Sequence, residues 1–358
     1  MLENCIALVS NSEDADIATY GFGASAPSLR AGERHRVGAH VMPLAISAGR
    51  QTVFAATRGA APSLVKCTLD SFAGRLTTDY RVAIDASLVA LALDRTDRFL
   101  FGAAYGSHEV VVYSVARLDR GDPKPVQTLR GVRNAHSVVV TDDNRFAYVT
   151  SLANDEILCC SIDENAAQPL GMIETVTLDQ GFGPRHMRLS PDGNWLYVLS
   201  EFRATVAVFR RIGDSGKLVL HSVSARPHAL AGMFDGFVRP PATDPQPDPA
   251  TLTSLIWAAD IHVRPDGQYV YISERTTNRI FALHVTPNGA LEQAGDFETE
   301  TQPRGFSIDP SGRFLLVCGE KSTQVSLYGI DAKSGALTLH SRTRGGSGAN
   351  WIEIVPRD

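Results

Sequence analysis

Runs of large apolar side chains recur along this sequence, each entered through a polar turn built on Asp, Ser, Asn or Gly. The phrase reads Pro191-Asp192-Gly193-Asn194-Trp195-Leu196-Tyr197-Val198 and again Pro265-Asp266-Gly267-Gln268-Tyr269-Val270-Tyr271-Ile272. It returns as Pro310-Ser311-Gly312-Arg313-Phe314-Leu315-Leu316-Val317, with degenerate copies beginning at Asp142, Asp94 and Ser47. With Gly49, Asp97, Asn144, Gly193, Gly267 and Gly312 as markers, the spacings are 48, 47, 49, 74 and 45 residues. A period of this length fits WD40-like blades or HEAT-type helix pairs. The apolar runs are short, rich in Val, Ile, Tyr, Phe and Leu, and bounded by Gly, Asp, Asn and Pro, which is the pattern of strands. Apolar residues spaced every three or four positions are nearly absent, which argues against helices.

The fourth repeat shows the unit: His186–Leu189, Trp195–Leu199, Thr205–Phe209 and Leu218–Leu220, four strands as in a propeller blade. Six markers give six units. The C-terminal Asn350–Pro356 aligns with Arg304–Pro310 and the chain then stops, while Ile6–Ser10 supplies the strand that would come next. One blade shared by both ends closes the ring and hides two sheet edges. The expected fold is therefore all-β: a seven-bladed β-propeller of four-stranded antiparallel blades, one domain over residues 1–358. A β-sandwich would not require so sustained a register.

The long interval holds an insertion of about 27 residues, 226–254, with Pro227, Pro240, Pro241, Pro245, Pro247 and Pro249. Proline at that density predicts a loop without regular strand or helix. A surface excursion, a lid and an oligomer contact are all open readings of it.

Composition narrows the function. Hydrophobic residues make up 44% of the chain, and the net charge of −5 is spread without a basic stripe, so nucleic acid and anionic membranes are not expected partners. Met1–Cys5 has no basic leader and no long apolar segment follows, which predicts a cytoplasmic protein. Five cysteines (Cys5, Cys67, Cys159, Cys160 and Cys318) at no framework spacing read as free thiols. Adjacent Cys159 and Cys160 would face opposite sides of a strand, so they form no metal clamp.

Candidate chemistry lies where the repeats differ. Eight residues before the markers, where each channel-lining strand begins, stand Val41, Val89, His136, Arg185, Ala259 and Arg304, with Asn350 in the split blade. Eight residues after them stand Thr57, Tyr105, Leu152, Glu201, Arg275 and Glu320. Antiparallel neighbours bring both sets to one face, with Arg185 expected beside Glu201 and Asp260 beside Arg275. Glu320, next to Lys321, reads as a solvated rim pair. His136, Arg185, His186, Glu201, Asp260, His262, Arg275 and Arg304 thus form a constellation in which guanidinium forks suit carboxylate or phosphate oxygens. Its carboxylates and histidines are suited to proton transfer.

At these residues the chain resembles the cytosolic seven-bladed propeller lactonases, the family of bacterial 6-phosphogluconolactonase and fungal carboxymuconate lactonizing enzyme. The matching phrases are Gly183–Met187, Trp257–His262 and Glu300–Phe306, with looser matches at Asn134–Ser137 and Glu274–Thr276. The resemblance implies lactone chemistry without a metal or cofactor, with catalytic roles on His136, Arg185, Glu201 and Arg275. His186, Asp260, His262 and Arg304 are the expected substrate-binding residues, and the expected substrate is a small anionic sugar-acid lactone. Hydrolysis of an aldaric lactone, lactonisation of a muconate and non-catalytic binding of a peptide or protein stay open. The oligomeric state is open as well.

Overall fold

The turn phrase folds alike from repeat to repeat. Ser190 Oγ donates to Asp192 (2.5 Å) and accepts from the Trp195 N–H (2.9 Å), and Gly193 closes the turn at φ 68°. In the sixth repeat the Asp309 carboxylate accepts from Ser311 Oγ and the Phe314 N–H (2.7 Å), with Gly312 at φ 69°. Asp97 and Asn144 take the same left-handed conformation, each at φ 57°; their short polar side chains tolerate it. In the first repeat the left-handed residue is Arg50 (φ 59°), so the register there begins one residue later than the Gly49 marker implies.

The structure, a computed structural model, describes residues 5–23, 26–240 and 244–357. Met1–Asn4 and Pro241 lie outside the described residues. The described strands form seven four-stranded antiparallel sheets. Blades 1 to 6 follow the chain, with innermost strands Leu44–Ile46, Ala90–Leu93, Ala135–Val140, Pro184–Leu189, Ala258–Val263 and Pro303–Ile308. In blade 7 the innermost strand is the C-terminal Ala349–Pro356, hydrogen-bonded to Cys5–Asn11. The ring is therefore closed by both ends of the chain, as the repeats predict. Apolar faces of adjacent blades interlock: Tyr197, Leu199 and Val206 of blade 4 pack with Ile261, Val270, Ile272 and Phe281 of blade 5.

Two features aim side chains at the channel. The inner strands of blades 3 to 6 each break register near their start, at Ala135/Val138, Pro184/Met187, Ala258/Ile261 and Pro303/Gly305. Such bulges redirect side chains and are frequent beside active sites. Gly305 allows close approach as well: a Cβ there would stand 2.7 Å from the Asn350 carbonyl oxygen of the next blade.

The insertion leaves blade 4 after Val223 and enters blade 5 at Ala258. It contains regular structure that the prolines seemed to forbid: a helical turn, Pro249–Leu252, with Asp248 capping the Ala250 N–H (2.9 Å). Pro249 occupies the first helical position, where its missing N–H costs nothing. All five cysteines are free and buried. Among the described residues no helix is long and apolar enough to cross a membrane.

Candidate active site

The residues singled out by the repeat meet around one carboxylate. Glu201 follows the second strand of blade 4, and its Oε1 accepts a hydrogen bond from Arg275 Nη2, carried from the matching position of blade 5. On the other side, Arg185 Nε stands 3.5 Å from Glu201 Oε2. The expected pairing of Asp260 with Arg275 is not formed. Arg275 reaches back toward blade 4, fixed by Nε donation to the Trp257 carbonyl (3.0 Å), and Asp260 is engaged elsewhere. Glu274 holds this corner rigid, accepting from the N–H groups of Trp257 (2.9 Å), Thr276 (3.0 Å) and Thr277 (2.7 Å).

Arg185 is 2% exposed, and a second line of residues backs it. Its Nη1 contacts the Ala259 carbonyl and His186 Nε2, the latter at 3.1 Å. His186 Nδ1 lies 2.8 Å from Asp260 Oδ1. A carboxylate can only accept, so Nδ1 carries the proton and Nε2 accepts from Arg185. Asp260 also accepts from the Ile261 N–H (2.9 Å), and its Oδ2 lies 3.3 Å from His262 Nε2. The result is a continuous chain of contacts, Asp260–His186–Arg185–Glu201–Arg275. His186 and His262 also line a polar channel cavity of about 370 Å³ with Arg188, Trp351 and Glu353.

His136 is buried on blade 3, its ring 5.2 Å from that of His186 and 5.9 Å from that of Tyr105. Arg304, on blade 6, donates to Glu320 (3.2 Å). Glu320 is half-buried, and its partner is Arg304, where the sequence reading pairs it with Lys321 as a solvated rim residue. Sequence reasoning also missed Arg58, whose ionisation is depressed by burial and by Arg304, against the pull of Glu320. The one-residue shift in the first repeat explains the omission: eight residues beyond Arg50 is Arg58, where eight beyond Gly49 is Thr57. Tyr105, at the same position of blade 2, is likewise a member. Burial and Glu201 push its hydroxyl pKa up to about 12, against Arg185, Arg239 and Arg275.

Burial alone would raise the Glu201 pKa, but Arg275 and Arg185 outweigh it and keep the carboxyl ionised. Arg185 is pulled down to about 9 by burial, against the attraction of Glu201, and stays cationic at neutral pH. His136 is pushed well below 6.5 by burial, Arg185 and His186, and is neutral. Burial opposes ionisation of Asp260, yet its contacts with His262 and His186 hold it well below the usual carboxylate range. Two buried polar atoms of this cluster have no hydrogen-bond partner: Arg185 Nε, 3.5 Å from Glu201 Oε2, and His136 Nδ1, on the ring that packs against His186. Among the described residues no group of three or more His, Cys, Asp or Glu side chains is arranged to hold a metal ion.

The histidines make stability depend on pH. Burial and Arg185 push His186 down to about 4, while in the unfolded chain it titrates near 6.5. Between those values the unfolded state binds a proton that the fold rejects, so stability falls as pH falls through this window. The limiting slope for this one group is about 1.4 kcal/mol per pH unit, and His136 and His262, also lowered, act in the same direction. The melting temperature is expected to drop between about pH 7 and pH 5; a flat profile would show that the fold accommodates these protons.

A family model described as "Lactonase, 7-bladed beta-propeller" matches residues 5–354. A 6-phosphogluconolactonase of Xenorhabdus nematophila is 33% identical over 267 residues, 74% of each chain. One of Photorhabdus laumondii is 31% identical over 317 residues, 88% of each chain. In fold, the chain is similar to a Pseudomonas aeruginosa periplasmic gluconolactonase at a TM-score of 0.81 and 22% identity, covering 99% of this chain and 100% of that one.

Proposed function

The chain belongs to the seven-bladed β-propeller lactonase family, and from that premise we propose that it hydrolyses a sugar-acid lactone of the kind opened by 6-phosphogluconolactonase. The observation that carries the reading is a buried carboxylate, Glu201, clamped by Arg275 and 3.5 Å from Arg185 Nε, with Arg185 Nε and, on the ring packed against His186, His136 Nδ1 left without hydrogen-bond partners. A buried donor or acceptor without a partner is costly. A lactone offers what both lack: a carbonyl oxygen for Arg185 and a ring oxygen within reach of a proton carrier.

In this mechanism Arg185 and Arg275 hold the carbonyl oxygen and gain strength as it becomes an oxyanion. Glu201 takes a proton from water as the water oxygen bonds to the carbonyl carbon. At rest its two cations make it a weak base, but as negative charge grows on the carbonyl oxygen the fixed guanidiniums of Arg185 and Arg275 are shared with a second anion and the basicity of Glu201 rises. When the tetrahedral intermediate collapses, the bond from the carbonyl carbon to the ring oxygen breaks. His136, neutral at rest, relays the proton from Glu201 to that leaving oxygen, and the product is an open hydroxy acid. His186, Asp260 and His262 act from behind as positioning residues: their chain of contacts fixes the guanidinium of Arg185.

A panel assayed by acid release tests the substrate class: 6-phosphogluconolactone, gluconolactone, an aldaric lactone and muconolactone. Acceleration of a sugar lactone above its spontaneous opening is expected, and none with any member would remove the reading. Full rate in the presence of a chelator is also expected, since Arg58, Arg185, Arg275 and Arg304 would repel a divalent cation here; activity lost to chelator and restored by calcium would contradict the metal-free scheme.

A further inference from the structure

Arg304, an expected substrate-binding residue, has its Nη1 on Glu320. A different arginine, Arg239, borders a cavity that Arg275 also lines. The insertion folds back on the blade 4–5 junction: Arg226 and Arg203 both hold Asp235, the latter at 3.3 Å, and the Gly236 N–H donates to the Phe202 carbonyl (2.9 Å). Phe237 then packs edge-on against Trp257 at 5.6 Å. Two residues on, Arg239 lays its guanidinium over the Trp257 ring, 4.2 Å from the centroid.

That stack fixes the plane of the guanidinium and leaves its N–H edge for an in-plane acceptor. Among the described residues no carboxylate makes an ion pair with Arg239. It instead borders a cavity of about 390 Å³ whose wall includes Trp257, Arg275, Asn278 and Gln302. Arg275 spends Nε and Nη2 on the Trp257 and Ala258 carbonyls and on Glu201. It therefore joins the carboxylate of the proposed reacting centre to this cavity. Burial disfavours the ionisation of Arg239, and the nearby Arg275 adds to this, against the attraction of Glu201 and Tyr105. Two like charges facing one cavity are relieved by an anion between them.

We propose that the insertion builds a subsite for the far end of the substrate, in which Arg239, presented by Trp257 beside Arg275, binds a terminal phosphate or carboxylate of a sugar acid. The identity of the ligand rests on the lactonase reading; the anion site itself rests on the geometry of the insertion. The reactive end of the lactone would lie at Glu201 and its anionic tail under the Arg239–Trp257 stack.

The test is calorimetric titration of 6-phosphogluconate, glucarate and gluconate into the wild-type protein and the Arg239→Gln and Arg239→Lys variants. Loss of a charge-assisted bidentate contact is expected to weaken the doubly anionic ligands by about tenfold or more in Arg239→Gln, with gluconate unchanged. Arg239→Lys keeps the charge but loses the fork and the stack, and should fall between. Whichever of 6-phosphogluconate and glucarate loses more identifies the tail. Equal weakening of all three ligands, or of none, would overturn the subsite. Turnover is read separately: Arg239-dependent binding without lactone hydrolysis would keep the subsite and discard the lactonase reading, and hydrolysis indifferent to Arg239 would do the reverse.

Discussion

Replacing Glu201 by glutamine is expected to lower kcat by about two to four orders of magnitude, the usual scale for a positioned acid–base group, with a smaller effect on KM. Glutamine keeps the size and can still accept from Arg275, but it cannot take a proton from water. The same change should destabilise the fold. Glu201 is 8% exposed and lies between Arg275 and the almost fully buried Arg185. Removing the anion from a buried charged group typically costs about 3–5 kcal/mol. Rate must therefore be measured well below the variant's melting temperature, with circular dichroism to show that the propeller is intact. A folded Glu201→Gln protein at the wild-type rate would take Glu201 out of the chemistry.

Arg185→Met carries the second large effect. Methionine approximates the length of the side chain without a donor, so an oxyanion formed at this position would lose the support of Nε. Loss of one such donor in comparable sites costs about a hundred- to a thousandfold in kcat. Arg185→Lys is expected to rescue little. A lysine ammonium cannot serve Ala259, His186 and the substrate with one planar fork, as the geometry of Arg185 permits. If Arg185→Lys retained the wild-type kcat, the role of Arg185 would be charge alone and the importance given to its Nε would be wrong. Asp260→Asn should act through the same arginine: a neutral amide oxygen holds the His186 Nδ1–H less strongly than the carboxylate does, and kcat should fall with the substrate spectrum unchanged.

The ring and its closure were legible because the turn phrase is local: a left-handed residue and the apolar run after it are written within a few positions. The ruler built on that phrase located Arg185, Glu201 and Arg275 for the same reason. It failed where local marks mislead. Gly49 served as the marker of the first repeat, but Arg50 occupies the left-handed conformation there, and the slip hid Arg58. Pairings between blades were harder to foresee. Arg275 could turn toward Asp260 of its own blade or Glu201 of the preceding one, and the choice depends on the anchoring of its Nε at Trp257. Asp260 was already taken, by His186 and His262. Arg239 was invisible to any repeat, since the insertion has no counterpart in the other blades. Only its return onto Trp257 brings it to the cavity that Arg275 lines.

The most direct measurement is a crystal structure of the Glu201→Gln protein soaked with a slowly opening sugar-acid lactone. The expected result is a carbonyl oxygen held by Arg185 Nε and Arg275, the ring oxygen facing His136 and the anionic tail under Arg239. A ligand seated instead in the channel cavity by Arg188 and Glu353, or with its carbonyl turned away from Arg185, would contradict the account.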